Sequence, residues 1–108
     1  MFKNENHLTY ILKPGYISDN GHVEMKGKPN SNVDKRNKKT GALVQRRKYN
    51  KDGDAYKDMD APHVNVDFPH IHEIENGLRK KHHKLMNKKE KREFIKAQNK
   101  RRGPYVKK

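Results

Sequence analysis

Three of the seven histidines in this 108-residue chain lie within ten positions of one another: His63, His70 and His72. Residues two apart on a strand point to the same side of a sheet, so an extended segment would present His70 and His72 on one face. Two such imidazoles suit acid–base cleavage of a phosphodiester, in which one takes the 2′-OH proton and the other protonates the leaving oxygen. They also suit metal binding, and surface histidines without chemistry are the third interpretation.

A metal site would need more ligands than these imidazoles, and nearby acidic residues could supply them. The candidate set is Asp58, Asp60, His63, Asp67, His70 and His72. Such a mixture of oxygen and nitrogen ligands suits hard and borderline cations. The acidic residues are equally typical of turns, and the chain has no cysteine for a thiolate zinc site or a nucleophile. We therefore predict a site with no metal ion and no other cofactor.

Groups suited to phosphate and base binding lie upstream of the histidines. Arg46 and Arg47 fall in the middle of a predicted strand, where a guanidinium can bind a phosphate in bidentate fashion. Lys28 precedes Pro29-Asn30-Ser31, whose N–H groups and hydroxyl could cradle a phosphate. Tyr49 could stack on a base or pack across strands.

The elements that must position these residues are predicted from local patterns. Residues 42–60 have the pattern of a β-hairpin, with strand-like residues on either side of the turn Asn50-Lys51-Asp52-Gly53. Residues 61–72 indicate a short extended segment. A basic helix is predicted from about Leu78 to Asn99, ended by Gly103-Pro104. The fold class that follows is α+β, a small antiparallel sheet with a central hairpin and a basic C-terminal helix.

The charge of the chain is concentrated at one end. The whole chain has a net charge of +14, and residues 79–108 contain 14 Lys and Arg but only Glu90 and Glu93 as acids. Such a basic block is typical of nucleic-acid binding. We predict a core over residues 1–78 and a basic helix and tail over 79–108. No apolar stretch is long enough to cross a membrane, and the first residues lack the apolar centre of a signal peptide.

The order of several short motifs resembles the C-terminal toxin domains of bacterial polymorphic toxins. The resemblance covers roughly residues 26–74, and its pieces are Gly27-Lys28-Pro29-Asn30-Ser31, Arg46-Arg47-Lys48-Tyr49-Asn50-Lys51-Asp52-Gly53, Lys57-Asp58-Met59-Asp60, His63, and Phe68-Pro69-His70-Ile71-His72. In that family a KPNS segment precedes a YxxDG hairpin, a histidine and a closing PHxH element. The resemblance implies a compact α+β fold of the barnase and colicin type and a metal-independent ribonuclease activity.

The site residues that follow combine this resemblance with the residue chemistry. His70, His72 and His63 are expected to supply acid and base, while Arg46 and Lys28 stabilise the charge on the phosphate. The residues expected to bind the substrate are Asn30, Ser31, Arg47, Tyr49, Lys81, Lys84, Lys88 and Arg92. The expected partners are RNA and an acidic immunity protein, and the expected chain is a monomer in the cytoplasm of a bacterial target or host cell.

A second function class remains open at this stage. The chain could be a non-catalytic, basic nucleic-acid-binding protein of phage or mobile-element origin, with histidines that play no chemical role. The strong positive charge supports both functions, because phosphate contacts dominate the affinity of nucleic-acid binding whether or not a reaction follows.

Overall fold

The computed structural model describes residues 10–12, 16–18, 21–99 and 105–107. These ranges contain eight strands and one helix. The elements are β1 Tyr10–Leu12, β2 Tyr16–Ser18, β3 Asn32–Arg36, β4 Leu43–Tyr49, β5 Ala55–Asp60, β6 His70–Glu75, β7 Leu78–Leu85, α1 Lys88–Gln98 and β8 Tyr105–Lys107.

Six of the strands form one sheet in the order β2-β3-β4-β5-β6-β7. Neighbouring strands are antiparallel except β2 and β3, which are parallel. Strands β1 and β8 pair separately as an antiparallel two-stranded sheet. Together with α1, this architecture confirms the coarse prediction of an α+β fold built on a small, mostly antiparallel sheet.

The helix α1 begins at a capping box and packs against one side of the sheet. The Asn87 side chain accepts a hydrogen bond from Glu90 N, and the Glu90 carboxylate accepts one from Asn87 N. Each bond satisfies a backbone N–H that the first helical turn would leave unpaired. The core under the helix consists of Leu43, Met59, Ile71, Met86, Phe94 and Ala97, all buried.

The end of α1 is tied to the start of β4 by side-chain hydrogen bonds. The Gln98 amide accepts from Leu43 N at 2.8 Å and donates to Leu43 O at 3.3 Å. The fully buried Arg36 guanidinium donates to Ala97 O at 2.5 Å and to Gly41 O at 2.9 Å. The bond to Ala97 O satisfies a helix carbonyl that has no intrahelical partner in the last turn.

The predicted helix from about Leu78 to Asn99 is wrong in its first part, because Leu78–Leu85 is the strand β7. Asn76 and Gly77 both have positive φ, 53° and 77°, as a type I′ turn requires, and they join β6 to β7. The boundary predicted after residue 78 therefore falls inside β7, and only Lys88–Gln98 is helical. Within the described ranges, α1 is too short and too polar to cross a bilayer.

The extended segment predicted over 61–72 divides into two parts. Residues 61–69 form a loop that contains a turn closed by two backbone hydrogen bonds between His63 and Val66, and β6 begins at His70. Gly103-Pro104, predicted to end the helix, lie outside the described residues.

Alternation along the strands separates two groups of side chains. The helix face of the sheet, which packs against α1, carries Arg46, Lys48, Lys57, Met59 and Ile71. The opposite face, here called the polar face, carries Gln45, Arg47, Asp58, Asp60, His70 and His72. A bulge leaves Val44 without a partner residue in β3. Strict alternation in β4 would place Leu43 on the same face as Gln45 and Arg47, but because of the bulge Leu43 joins the core under the helix.

Candidate functional site

The register of β5 and β6 places two acids beside two histidines on the polar face. Asp60 pairs with His70 and Asp58 pairs with His72 across the two strands. All four side chains are buried, and Asp58 and His70 have no exposed surface at all. Buried polar groups on a sheet face are costly unless they are paired, so each of these four side chains needs polar partners.

Backbone carbonyls orient both imidazoles in the same way. His70 Nδ1 lies 2.9 Å from Phe68 O, and His72 Nδ1 lies 2.8 Å from Lys80 O. A carbonyl oxygen can only accept, so we assign the proton of each neutral ring to Nδ1. The Nε2 atom of each ring then carries a lone pair, and both Nε2 atoms lie 3.7 Å from Asp60 Oδ2.

A bulge in β7 contributes to this geometry. His72 pairs with His83 and Ile74 pairs with Arg79, so three residues of β7, Lys80 to His82, lie opposite one residue of β6. The bulge brings Lys80 O to the His72 ring and turns Arg79 across β6 onto the acids of β5. Bulges next to active sites commonly re-aim side chains in this manner.

Asp58 and Asp60 are held by a network of charge-assisted hydrogen bonds. Arg47 binds Asp58 in bidentate fashion, with both N–O distances 2.8 Å. Arg79 donates from Nε to Asp58 at 2.8 Å and from Nη2 to Asp60 Oδ2, while Gln45 donates to Asp60 Oδ1 at 3.1 Å. The hydrogen bond to Asp58 raises the pKa of Arg47, and this outweighs the effect of burial, which lowers it.

Two further histidines lie at the solvent side of the buried pair. The ring centroids of His63 and His83 lie 5.0 Å and 5.3 Å from that of His70, and both side chains are exposed. His83 also lies 6.3 Å from His72 and 5.6 Å from Phe68. The four imidazoles therefore form a continuous cluster, here called the histidine cluster, that runs from the buried face of the sheet to solvent.

The structure brings together only some of the predicted site residues. His63, His70 and His72 meet in the histidine cluster, and Arg47 lies on the same polar face. Arg46 instead lies on the helix face, where it binds Asp34 in bidentate fashion at 2.7 and 2.9 Å. A third hydrogen bond joins Arg46 to Glu93 at 3.0 Å, so its guanidinium is occupied by two acids on the opposite side of the sheet.

The remaining predicted residues lie elsewhere. Asn30, Ser31 and Tyr49 line a shallow groove beside the turn between β4 and β5, together with Tyr56. The Tyr49 ring is buried, and its hydroxyl donates to Glu24 O at 2.6 Å, as a packing role requires. The remaining predicted cations are exposed, on the loop before β3, on β7 and on α1: Lys28, Lys81, Lys84, Lys88 and Arg92.

Arg79 and His83 were not predicted as site residues. Both lie in the segment that was predicted to be helical. The dipeptide Asn76-Gly77 is the signal that could have found them, because this pair is strongly favoured in two-residue hairpin turns. A turn there converts residues 78–85 into a strand beside β6 and brings Arg79 and His83 to the polar face.

No protein-family model, curated protein or solved structure matches this chain.

Proposed function

We propose that the protein is an endoribonuclease that cleaves RNA at the histidine cluster by acid–base chemistry and without a metal ion. The observation that carries this proposal is the fixed orientation of His72, whose Nδ1 donates to Lys80 O, which leaves its Nε2 lone pair to accept a proton. A general base needs an unprotonated, oriented nitrogen within reach of the substrate, and His72 has about 8% of its surface exposed.

The reaction needs a second group that donates a proton. The exposed His83 is the candidate, because its ring centroid lies 6.3 Å from that of His72, and one phosphate could contact both. His72 Nε2 takes the proton of the ribose 2′-OH, and the 2′ oxygen attacks phosphorus. The bond to the 5′ oxygen breaks, and this oxygen takes a proton from His83. The products are a 2′,3′-cyclic phosphate and a 5′-hydroxyl.

His70, His63 and Arg79 have supporting roles in this scheme. His70 is completely buried and contacts the rings of His63, His72 and His83, so it is a positioning residue. Arg79 is held by Asp58 and Asp60 and is one third exposed, so its free N–H groups can bind the phosphate as charge develops on it. His63 is exposed beside His70 and is the alternative proton donor to His83.

The surface beside the cluster suits a polyanion. Strand β7 is an edge of the sheet and has four cations, no acid and a largely exposed surface. An RNA strand that follows this edge would pass directly over His83. The proposal also includes what the motif resemblance implies. The protein would be a toxin domain that acts in a bacterial cytoplasm, and its partner would be an acidic immunity protein.

Substitution of single histidines tests the catalytic proposal. We expect His72→Ala and His83→Ala each to slow cleavage of a labelled RNA by about 10²- to 10⁴-fold. His82→Ala is the matched control. His82 lies on the same exposed strand, and among the described residues it makes no ring contact with the histidine cluster. Equal rates for all three variants and the unmodified protein would remove the histidines from the reaction.

A non-catalytic RNA-binding protein is the second candidate, and the basic edge strand β7 favours it independently of the histidines. Lys81→Gln should then lower the log–log salt slope of binding to single-stranded RNA by about 0.7, the value for one phosphate contact. Tight binding with this slope change, but no cleavage at any protein concentration, would select this function over the ribonuclease.

A further inference from the structure

We propose that Asp60, His70 and His72 form a binding site for Zn²⁺ or a similar transition-metal ion, and that occupation of this site inhibits the protein. The inhibitory part rests on the proposed ribonuclease function, whereas the binding part does not. The three ligand atoms lie within 4.8 Å of one another. Two imidazole nitrogens and a carboxylate are a ligand set that suits Zn²⁺, and they discriminate against Mg²⁺ and Ca²⁺, which prefer oxygen ligands.

The distances in the site suit a small tetrahedral ion. Zn²⁺ binds histidine nitrogen and carboxylate oxygen at about 2.0–2.2 Å, which places two ligand atoms of a tetrahedron about 3.3–3.6 Å apart. His70 Nε2 and His72 Nε2 each lie 3.7 Å from Asp60 Oδ2. All three ligand atoms lie within 4.8 Å of one another, so no separation exceeds the tetrahedral value by more than about 1.5 Å.

The state of His70 Nε2 supports the same conclusion. This nitrogen is fully buried and has no hydrogen-bond partner among the described residues. Buried nitrogen lone pairs are normally paired, and a metal ion on the side facing Asp60 would pair this one. Metal-binding histidines characteristically donate their second N–H to a carbonyl, as His70 and His72 do with Phe68 O and Lys80 O.

Arg79 competes with the ion for Asp60. Its Nη2 donates to Asp60 Oδ2, the same oxygen that faces both Nε2 atoms. Its side chain is 34% exposed and can turn to solvent, and repulsion between the guanidinium and a cation favours that movement. Arg79 thus weakens metal binding and keeps the site free at low ion concentrations.

Metal binding and the proposed cleavage require the same lone pair. Once His72 Nε2 coordinates an ion, it cannot take the 2′-OH proton. Displacement of Arg79 from Asp60 also removes a group that is proposed to bind the phosphate. Occupation of the site should therefore inhibit cleavage, and the inhibition should be reversed by a chelator.

Titration of the purified protein with Zn²⁺, in competition with a chromophoric chelator and without RNA, tests the binding. We expect one ion per chain, and we expect His72→Ala to lower the affinity by more than about tenfold, since even the loss of an outer-shell partner costs about 10- to 100-fold. His82→Ala is the control and should leave the affinity unchanged. Mg²⁺ should not compete.

Arg79→Gln is the most discriminating variant, because it should raise Zn²⁺ affinity by about tenfold or more through loss of a nearby positive charge. A gain of affinity cannot result from misfolding. Unchanged or weaker binding by Arg79→Gln, or an equal loss in His72→Ala and His82→Ala, would overturn the site.

Cleavage assays then separate this inference from the proposed function. Inhibition of RNA cleavage by Zn²⁺, with recovery in chelator, supports the inference. Cleavage that requires Zn²⁺, or that continues unchanged when Zn²⁺ is bound, overturns the inhibitory part. Binding of Zn²⁺ by a protein that cleaves no RNA under any condition supports the metal site and overturns the ribonuclease proposal. Cleavage of RNA by a protein that binds no Zn²⁺ supports the ribonuclease proposal and overturns the metal site.

Discussion

Asp58 is the acid on which the polar face most depends, and its neutralisation gives a prediction of known sign and size. Its side chain has no exposed surface, and it binds Arg47 through two hydrogen bonds and Arg79 through one, all at 2.8 Å. The Arg47 side chain is only 6% exposed. Asp58→Asn keeps the shape of the side chain but leaves the buried Arg47 guanidinium without its counterion.

The expected cost follows from that burial. Removal of one partner of a buried ion pair typically destabilises a protein by about 3–5 kcal/mol, because the remaining charge is left without compensation. The amide oxygen introduced by Asp58→Asn would still accept a hydrogen bond, so we expect the lower end, about 3 kcal/mol. With a urea m-value of about 2 kcal/mol/M for a chain of this size, the unfolding midpoint should fall by about 1.5 M.

Urea unfolding of matched variants measures this difference. Glu73→Gln is the control, because its partner Lys84 lies 3.1 Å away on the surface and their side chains are 43% and 63% exposed. Such exposed pairs contribute less than about 1 kcal/mol. The double variant Arg47→Met with Asp58→Leu should be less destabilised than Asp58→Asn alone, since it removes both charges. Equal midpoints for Asp58→Asn and Glu73→Gln would refute the assignment of Asp58 as the buried anchor of the polar face.

Two further predictions concern the turn and the helix. Gly77 has a φ of +77°, and apart from its chain neighbours no described atom lies within 4 Å of the position that a Cβ would take. Gly77→Ala should therefore cost about 1–2 kcal/mol in urea unfolding through backbone conformation alone, and no cost would contradict the type I′ turn. Burial raises the pKa of Glu93, but hydrogen bonds from Lys48 and Arg46 outweigh it and hold the pKa below its ordinary 4.5. This stabilisation is therefore complete above pH 4.5 and is lost as the pH falls through the lowered pKa. Between about pH 7 and pH 3, the free energy of unfolding should fall less steeply at the acid end for Glu93→Gln than for the unmodified protein. Parallel curves for the two proteins would contradict this role of Glu93.

The sequence predicts the local features of this fold better than the distant contacts. The α+β class follows from short strand-like segments and a helix-compatible C-terminal part, and those signals are local. The placement of His70 and His72 on one face also follows from local geometry, because side chains alternate along any strand. Asn76-Gly77 is an equally local signal, and its omission accounts for the wrong helix over residues 78–85.

The contacts that define the site lie beyond the reach of such patterns. Arg46 and Arg47 are adjacent and identical in type, yet one binds Asp34 and Glu93 on the helix face and the other binds Asp58 on the polar face. Alternation separates them, but only the packing of α1 decides which face is which. The bulge in β7, which aims Arg79 and the Lys80 carbonyl, depends on pairing with β6 and has no signature in the composition of the strand.

The nature of the RNA ends produced in excess chelator tests the central claim most directly. The unmodified protein should cleave a labelled RNA under these conditions to give 2′,3′-cyclic phosphate and 5′-hydroxyl ends, because the 2′ oxygen is the nucleophile and histidines carry the protons. The same RNA with 2′-deoxyribose at the cleaved positions should resist. Intact RNA, or cleavage of the 2′-deoxy substrate, would contradict catalysis by the histidine cluster.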